Sequence, residues 1–197
     1  MKTEEIRNLK LLTEISSGNE PLTQRRLAKT QGVALGLANL LLRRLINKGF
    51  IKIKNVQGRR LRYLITPEGI VEKARLTYEY LDYSLYFYRQ IRQFLADRLA
   101  PFAQADRRDI LIIGTGEVAE IAYLTIQQLQ LKLVGIIDNK SDHRTFLGVS
   151  VHPFSDLGQL SFDAVVVASL KDRDAIHDQL VQINIDEERI VAIPNRI

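Results

Sequence analysis

After residue 108 the chain alternates short apolar runs with helical segments, and no other feature narrows its folds as far. The runs are DILIIG, KLVGIID, GVSVH, DAVVVAS and RIVAIP, and EVAEIAYLTIQQLQ and RDAIHDQLVQIN are the clearest helices between them. A strand that is apolar on both faces must be covered on both faces. Runs of this kind separated by helices predict five strands in a parallel sheet with helices on either side.

The first run leads into GTGEVA, which sets Gly114, Gly116 and Ala119 in a G-x-G-x-x-A pattern. The first glycine permits a tight turn, the second lets a pyrophosphate approach the backbone, and Ala119 lets helix and strand pack closely. Amides at the helix start, over Thr115, Glu117 and Val118, are placed to hold phosphate. The next strand ends at Asp138, 19 residues beyond Ala119, where a carboxylate accepts from ribose hydroxyls. Glu117 repels a phosphate unless it turns outward. The ligand candidates are NAD(H), CoA or a nucleotide sugar.

Charge divides the chain. Residues 1–108 carry 21 Lys+Arg against 10 Asp+Glu, a net +11, whereas residues 109–197 carry 7 against 13, a net −6. The basic half suits a polyanion and the acidic half does not. There are no cysteines, which excludes disulfides, thiolate metal sites and a cysteine nucleophile. His143, His152 and His177 are scattered, so no metal site is expected. The start, MKTEEIRNLKLL, is charged and lacks the apolar core of a signal peptide. No run approaches the length of a membrane span. A cytoplasmic protein is expected.

The basic half reads as three short helices and a β-hairpin, which together make a winged helix-turn-helix. In VALGLANLLLRRLINKG, Ala38, Leu41, Leu42 and Leu45 lie at core spacing, while Asn39, Arg43 and Arg44 point elsewhere. The hairpin alternates at Phe50, Ile51 and Ile53, turns at Gly58, and returns through Leu61, Tyr63 and Ile65. It carries Lys52, Lys54, Arg59, Arg60 and Arg62, placed for phosphates or the minor groove. Double-stranded DNA is the expected partner, with Thr23, Arg25, Ala34, Gly36, Leu37, Asn39, Leu40, Arg43, Arg44, Lys54, Arg59, Arg60 and Arg62 facing it.

EPLTQRRLAKTQGVALGLANLLLRRLINKGFIKIKN, followed by YLITPEGIVEKARLT, resembles the MarR-type winged-helix regulators. Within them it is most similar to a small group associated with bacterial exopolysaccharide loci. The resemblance covers about residues 3–95. It implies that the helix over Ala34 to Arg44 enters the major groove, that the hairpin is the wing, and that the helix after TPEG helps dimerise. Family members tend to carry polar residues at the positions of Ala34, Leu37 and Leu40, which are apolar here. Apolar side chains can touch a thymine methyl but cannot make bidentate bonds to bases. They leave room for another partner on that face.

The TPEG helix is expected to be capped by Thr66, start at Pro67, run to about Ala100 and stop at Pro101. It holds Tyr78, Tyr80, Tyr83, Tyr86 and Tyr88, five tyrosines in eleven residues. Leu81, Leu85, Tyr88, Ile91, Leu95 and Leu99 recur at three- and four-residue steps. The stripe predicts a homodimer seam, with packing on the chain's own C-terminal half as the alternative.

Residues 109–197 resemble the Rossmann-like nucleotide- or CoA-binding domains of bacterial polysaccharide enzymes, relatives of the nucleoside-diphosphate-sugar dehydratases and epimerases. The resemblance implies Asp138 and Asn139 at the ribose edge and Ser169 near the ligand crevice. Those enzymes carry Tyr-x-x-x-Lys or an equivalent pair. No such motif occurs in 109–197, where Tyr123 is the only tyrosine, so no enzyme and no catalytic residues are expected.

The expected architecture is α/β. A winged helix-turn-helix spans 1–66, a long linking and dimerisation helix 67–100, a linker 101–108, and a five-stranded parallel Rossmann-like sheet 109–197. The expected function is a dimeric DNA-binding transcriptional regulator with a nucleotide-sensing domain, tied to surface-polysaccharide genes. Two alternatives stand beside it. One is an assembly protein with an empty Rossmann fold. The other is an NAD(H) redox sensor of the Rex kind, which shares the architecture. A small oxidoreductase is disfavoured because no substrate lobe follows the fifth strand.

Overall fold

The computed structural model describes residues 1–17, 23–56, 60–139 and 145–194. The chain divides into two compact units, Met1–Leu85 and Tyr86–Ile197.

In the N-terminal unit, α1 (Thr3–Ser17), α2 (Gln24–Thr30) and α3 (Leu35–Asn47) precede an antiparallel hairpin of β1 (Ile51–Val56) and β2 (Arg60–Ile65). Both later helices end in a left-handed glycine. Gly32 has φ +60° and Gly49 φ +75°. After each, the next amide reaches back, Val33 to the Ala28 carbonyl at 3.0 Å and Phe50 to Leu45 at 2.9 Å. This closure uses carbonyls that the helix itself leaves unpaired. Leu11, Leu12, Ile15, Leu27, Leu41, Leu42, Leu45, Ile51, Tyr63 and Leu76 form the core, so the predicted inner stripe of α3 is the observed one.

The helix α4 (Pro67–Gln104) begins as TPEG predicts. The Thr66 hydroxyl accepts from the Gly69 amide at 3.0 Å and donates to the Gly49 carbonyl at 2.6 Å. Gly69 has no freedom to be anything larger, because a Cβ there would stand 1.9 Å from the Phe50 carbonyl oxygen. Gly69→Ala is therefore expected to destabilise this unit by about 1–3 kcal/mol through overpacking, read as a lower urea midpoint. Further along, Arg75 donates to Glu72 at 2.8 Å, and that bond holds the Glu72 carboxyl below its ordinary pKa.

Pro101 does not stop α4, which continues through it to Gln104. Tertiary burial overrides propensity here. Leu99 and Phe102 both pack into the C-terminal core. The helix closes instead at Asp106, with φ +57°, where the Arg107 amide bonds the Phe102 carbonyl at 2.9 Å. The residues expected to form a linker are thus partly helix, and the division between units falls inside α4.

The C-terminal unit contains β3 (Asp109–Ile113), α5 (Glu117–Gln128), β4 (Lys132–Ile137), β5 (Thr145–Phe146), β6 (Val149–His152), β7 (Ala164–Val167), α6 (Arg173–Gln182) and β8 (Ile190–Ala192). The order across the sheet is β5-β6-β4-β3-β7-β8. The five predicted strands are all present and pair in parallel. The sheet itself is six-stranded and mixed, which corrects the all-parallel expectation. The short β5 pairs antiparallel with β6 across the tight turn Leu147–Gly148, both with positive φ. A two-residue strand is too short to carry a hydrophobic pattern in the sequence.

Alternate residues of β3 face opposite sides. Ile110 and Ile112 join a core with Ile91, Leu95 and Leu99 of α4 and the inner face of α5. Leu111 and Ile113 join a second core with Leu157 and Leu180. Among the described residues no helix is long and apolar enough to cross a membrane.

This packing corrects part of the expected dimer seam. Ile91, Leu95 and Leu99 are each 0% exposed and Tyr88 packs against the same core. A sheet with two apolar faces needs two covers, and the second half of α4 is one of them. Leu81 and Leu85 remain exposed, at 56% and 50%.

Candidate functional sites

The first candidate site lies at the carboxyl ends of the parallel strands. From β3 the chain steps to β4 on one side and later to β7 on the other, so the crevice between β3 and β7 is where the sheet's winding reverses. Ligands of open α/β sheets bind at such a point. A cavity of about 410 Å³ occupies it, within the range of roughly 300–1,000 Å³ usual for small-molecule sites.

Six of the predicted ligand residues line this cavity: Gly114, Thr115, Gly116, Asp138, Asn139 and Ser169. Gly114 has φ +112°, and a Cβ on it would come within 3.4 Å of the Ala168 and Ser169 backbone. The glycine loop and the end of β7 therefore touch. Gly116 has extended backbone, and a Cβ there would meet none of the described residues within 4 Å. Its bareness serves no contact among them. Among the described residues, no side chain caps the start of α5.

The Thr115 hydroxyl donates to Asp138 Oδ2 at 2.5 Å, which ties the glycine loop to the end of β4. Asn139 Oδ1 accepts from the Phe154 amide at 2.7 Å, so it anchors the 3₁₀ turn Phe154–Gln159. The Ser169 hydroxyl accepts from the Asp172 amide at 3.3 Å at the start of α6.

Two predicted residues are not in the cavity wall. Glu117 is exposed on the first turn of α5, the outward turn that a phosphate there requires. Val118 is 7% exposed and packs in the core, because the second position after Gly116 faces the sheet. Conversely, Phe154, Asp172, Ile176 and Gln179 line the cavity, and no motif in the sequence points to them. They come from segments remote from the glycine loop. The Ser169-to-Asp172 spacing, a helix-start signal, is the one clue the sequence holds.

The second candidate site is the basic face of the N-terminal unit. The hairpin register sets Lys52 opposite Leu64 and Lys54 opposite Arg62, so Lys52, Lys54 and Arg62 share one face, and all three are exposed. Like charges directly opposite destabilise a hairpin, so this face is held at a cost to the fold. Arg59 lies outside the described residues. Arg60 is in β2, and its side chain is outside them as well.

On the helices, Arg25, Ala34, Gly36, Leu40 and Arg43 are exposed and Leu37 is half-buried. Thr23 serves the fold, since its hydroxyl caps α2 by accepting from the Arg26 amide at 3.2 Å. Arg44 bonds Glu4 at 2.9 Å on the surface. Asn39 Oδ1 is buried, so that atom is not offered to a base edge. Asn47, which the sequence does not single out, is exposed on the last turn of α3.

A third surface lies on the first half of α4. Val71, Ala74, Tyr78, Leu81 and Leu85 follow steps of three and four residues. All are exposed, Val71 to 70% and Tyr78 to 73%.

Comparison with known proteins gives the following likenesses. A family model described as C2185-like, N-terminal, matches residues 106–191, less than half of the chain. No curated protein matches the sequence. Among solved structures, the chain is similar to MepR, a transcription regulator of the Staphylococcus aureus multidrug efflux pump MepA. That match has 23% identity and a TM-score of 0.38, over 46% of this chain and 65% of that one. The S. aureus MepR–DNA complex matches at 23% identity and a TM-score of 0.39, over 46% and 64%. The zinc-dependent MarR family regulator AdcR, in its Zn(II)-bound state, matches at 17% identity and a TM-score of 0.34, over 47% and 62%. The matched region thus spans just under two thirds of each of these structures.

Proposed function

We propose that the chain is a dimeric, MarR-like DNA-binding transcriptional regulator whose C-terminal unit is a Rossmann-like domain that binds a nucleotide-type ligand without turning it over. The observation that carries the DNA reading is the cationic hairpin face beside a helix-turn-helix. Lys54 and Arg62 sit directly across from one another, an arrangement that a fold alone disfavours and a polyanion rewards. The resemblance to the exopolysaccharide-associated group supports surface-polysaccharide genes as the targets. The test is binding of short duplex DNA by the intact protein at increasing salt, where affinity must fall steeply. A protein with no duplex affinity at low salt ends this reading.

The dimer forms through Val71, Ala74, Tyr78, Leu81 and Leu85. Their spacing is that of an a/d seam between two helices, and their exposure in the single chain supports a partner there. Pairing two copies sets two reading heads on one palindromic site.

The ligand is held in the β3–β7 crevice. Backbone at Gly114, Thr115 and Gly116 receives the phosphate, and Asp138 receives ribose hydroxyls. A carboxylate has about four acceptor positions, so Asp138 accepts these besides the Thr115 hydroxyl. NAD(H), CoA or a nucleotide sugar is expected to raise the melting temperature, equivalent to about 2.7 kcal/mol at roughly 100 Kd. Gly116→Val should abolish that rise while leaving the free protein folded, because a Cβ there meets none of the described residues within 4 Å. If none of the three ligand classes shifts the melting curve, the crevice is not a nucleotide site. For sensing, the ligand must also change operator affinity, since only unequal binding to two states shifts their balance.

A further inference from the structure

The outward stripe of α3 is apolar where a base-reading helix ordinarily presents hydrogen-bonding groups. Ala38, Leu41, Leu42 and Leu45 face the core. At 3.6 residues per turn the opposite stripe runs through Gly36, Leu40, Arg43 and Asn47. Over the first two turns that stripe offers only Gly36 and Leu40. Leu40 is 46% exposed. Within those two turns the polar side chain is Asn39, whose Oδ1 is buried, and exposed Arg43 follows on the next turn. In a helix-turn-helix it is the N-terminal part of the second helix that meets base edges.

Gly36 strengthens the point. It is helical, and a Cβ on it would meet none of the described residues within 4 Å. The fold does not require a glycine there, and helical glycine is less stable than alanine. What the bare backbone leaves is room for an outside surface to come close.

In the major groove an apolar side chain has one favourable partner, the C5-methyl group of thymine. Guanine, cytosine and adenine present polar edges there, and covering these with leucine leaves their hydrogen bonds unmade. We propose that α3 reads thymine methyl groups through Leu40, with Gly36 letting the helix sit deep in the groove. This inference rests on the DNA-binding reading above and adds its base chemistry. Charge complementarity favours DNA over a protein as the occupant, because the same unit carries Lys52, Lys54 and Arg62 on one exposed face.

The test uses the full-length protein at low salt and three short duplexes: alternating A·T, the same sequence with deoxyuridine for thymidine, and alternating G·C. The thymine duplex is expected to bind tightest, by about fourfold over the uracil duplex for each methyl that Leu40 covers, the equivalent of about 0.8 kcal/mol. Leu40→Ala should bring the ratio of thymine-duplex to uracil-duplex affinity to about one. Leu40 is a surface residue, and an unchanged urea midpoint will show that the fold is intact. Equal, salt-dependent affinity for the thymine and uracil duplexes overturns the methyl reading and leaves DNA binding standing. A thymine preference that survives Leu40→Ala overturns the role of Leu40. Failure of all three duplexes to bind withdraws DNA itself and assigns the apolar stripe to a protein partner.

Discussion

Leu95→Ala is expected to destabilise the C-terminal unit by about 2–5 kcal/mol and to leave its association unchanged. Leu95 is 0% exposed, packed in the core that α4 shares with β3 and α5. Removing three carbons there loses transfer free energy and leaves a cavity between helix and sheet. Leu85→Asp should do the reverse. At 50% exposure its replacement should alter stability by no more than about 0.5 kcal/mol, yet a charge on the proposed seam should split the dimer. Urea unfolding reads the first effect and light scattering at micromolar concentration reads the second. A Leu95→Ala protein that is monomeric and fully stable would return the seam to the C-terminal half of α4. An unmodified protein that is already monomeric would remove the seam altogether.

This pair of variants isolates what the sequence could not say about α4. Steps of three and four apolar residues mark a helix with one covered face, but they do not name the cover. The same stripe continues from Leu81 to Leu99, and its two ends have different fates. Up to Leu85 it is exposed, while from Ile91 onward it is buried. The difference is set by a sheet more than ten residues further on, whose Ile110 and Ile112 need a roof. Helix ends show the same limit. Gly32 and Gly49 are legible as stops because a left-handed glycine closes a helix locally. Pro101 misleads because burial of Phe102 outweighs the lost amide.

The candidate crevice is half legible for a related reason. Gly114, Gly116 and Asp138 are tied by short spacings around one turn and one strand end, so a motif describes them. Phe154, Asp172 and Gln179 reach the same cavity from segments that meet it only through the sheet order. In the N-terminal unit, alternation predicts the hairpin. The cation face emerges only with the register, which sets Lys54 against Arg62 and Lys52 on the same side.

That face supports the other large expected effect. Replacing Lys52, Lys54 and Arg62 together by glutamine should lower the slope of log affinity against log salt by about 0.9 for each phosphate no longer neutralised. The loss should be similar for every duplex sequence, because cations on phosphate position a protein without reading bases. Stability should move the other way. Lys54 and Arg62 are cross-strand neighbours of like charge, and relieving such a pair is worth a few tenths of a kcal/mol up to about 1. The variant should therefore unfold at equal or higher urea while binding DNA more weakly. Opposite signs from one substitution set separate a binding face from a merely solvated one, since a solvated face would raise stability without touching affinity. Affinity that survives in the variant with an unaltered salt slope would remove these three cations from the interface, and with them the observation on which the DNA reading rests.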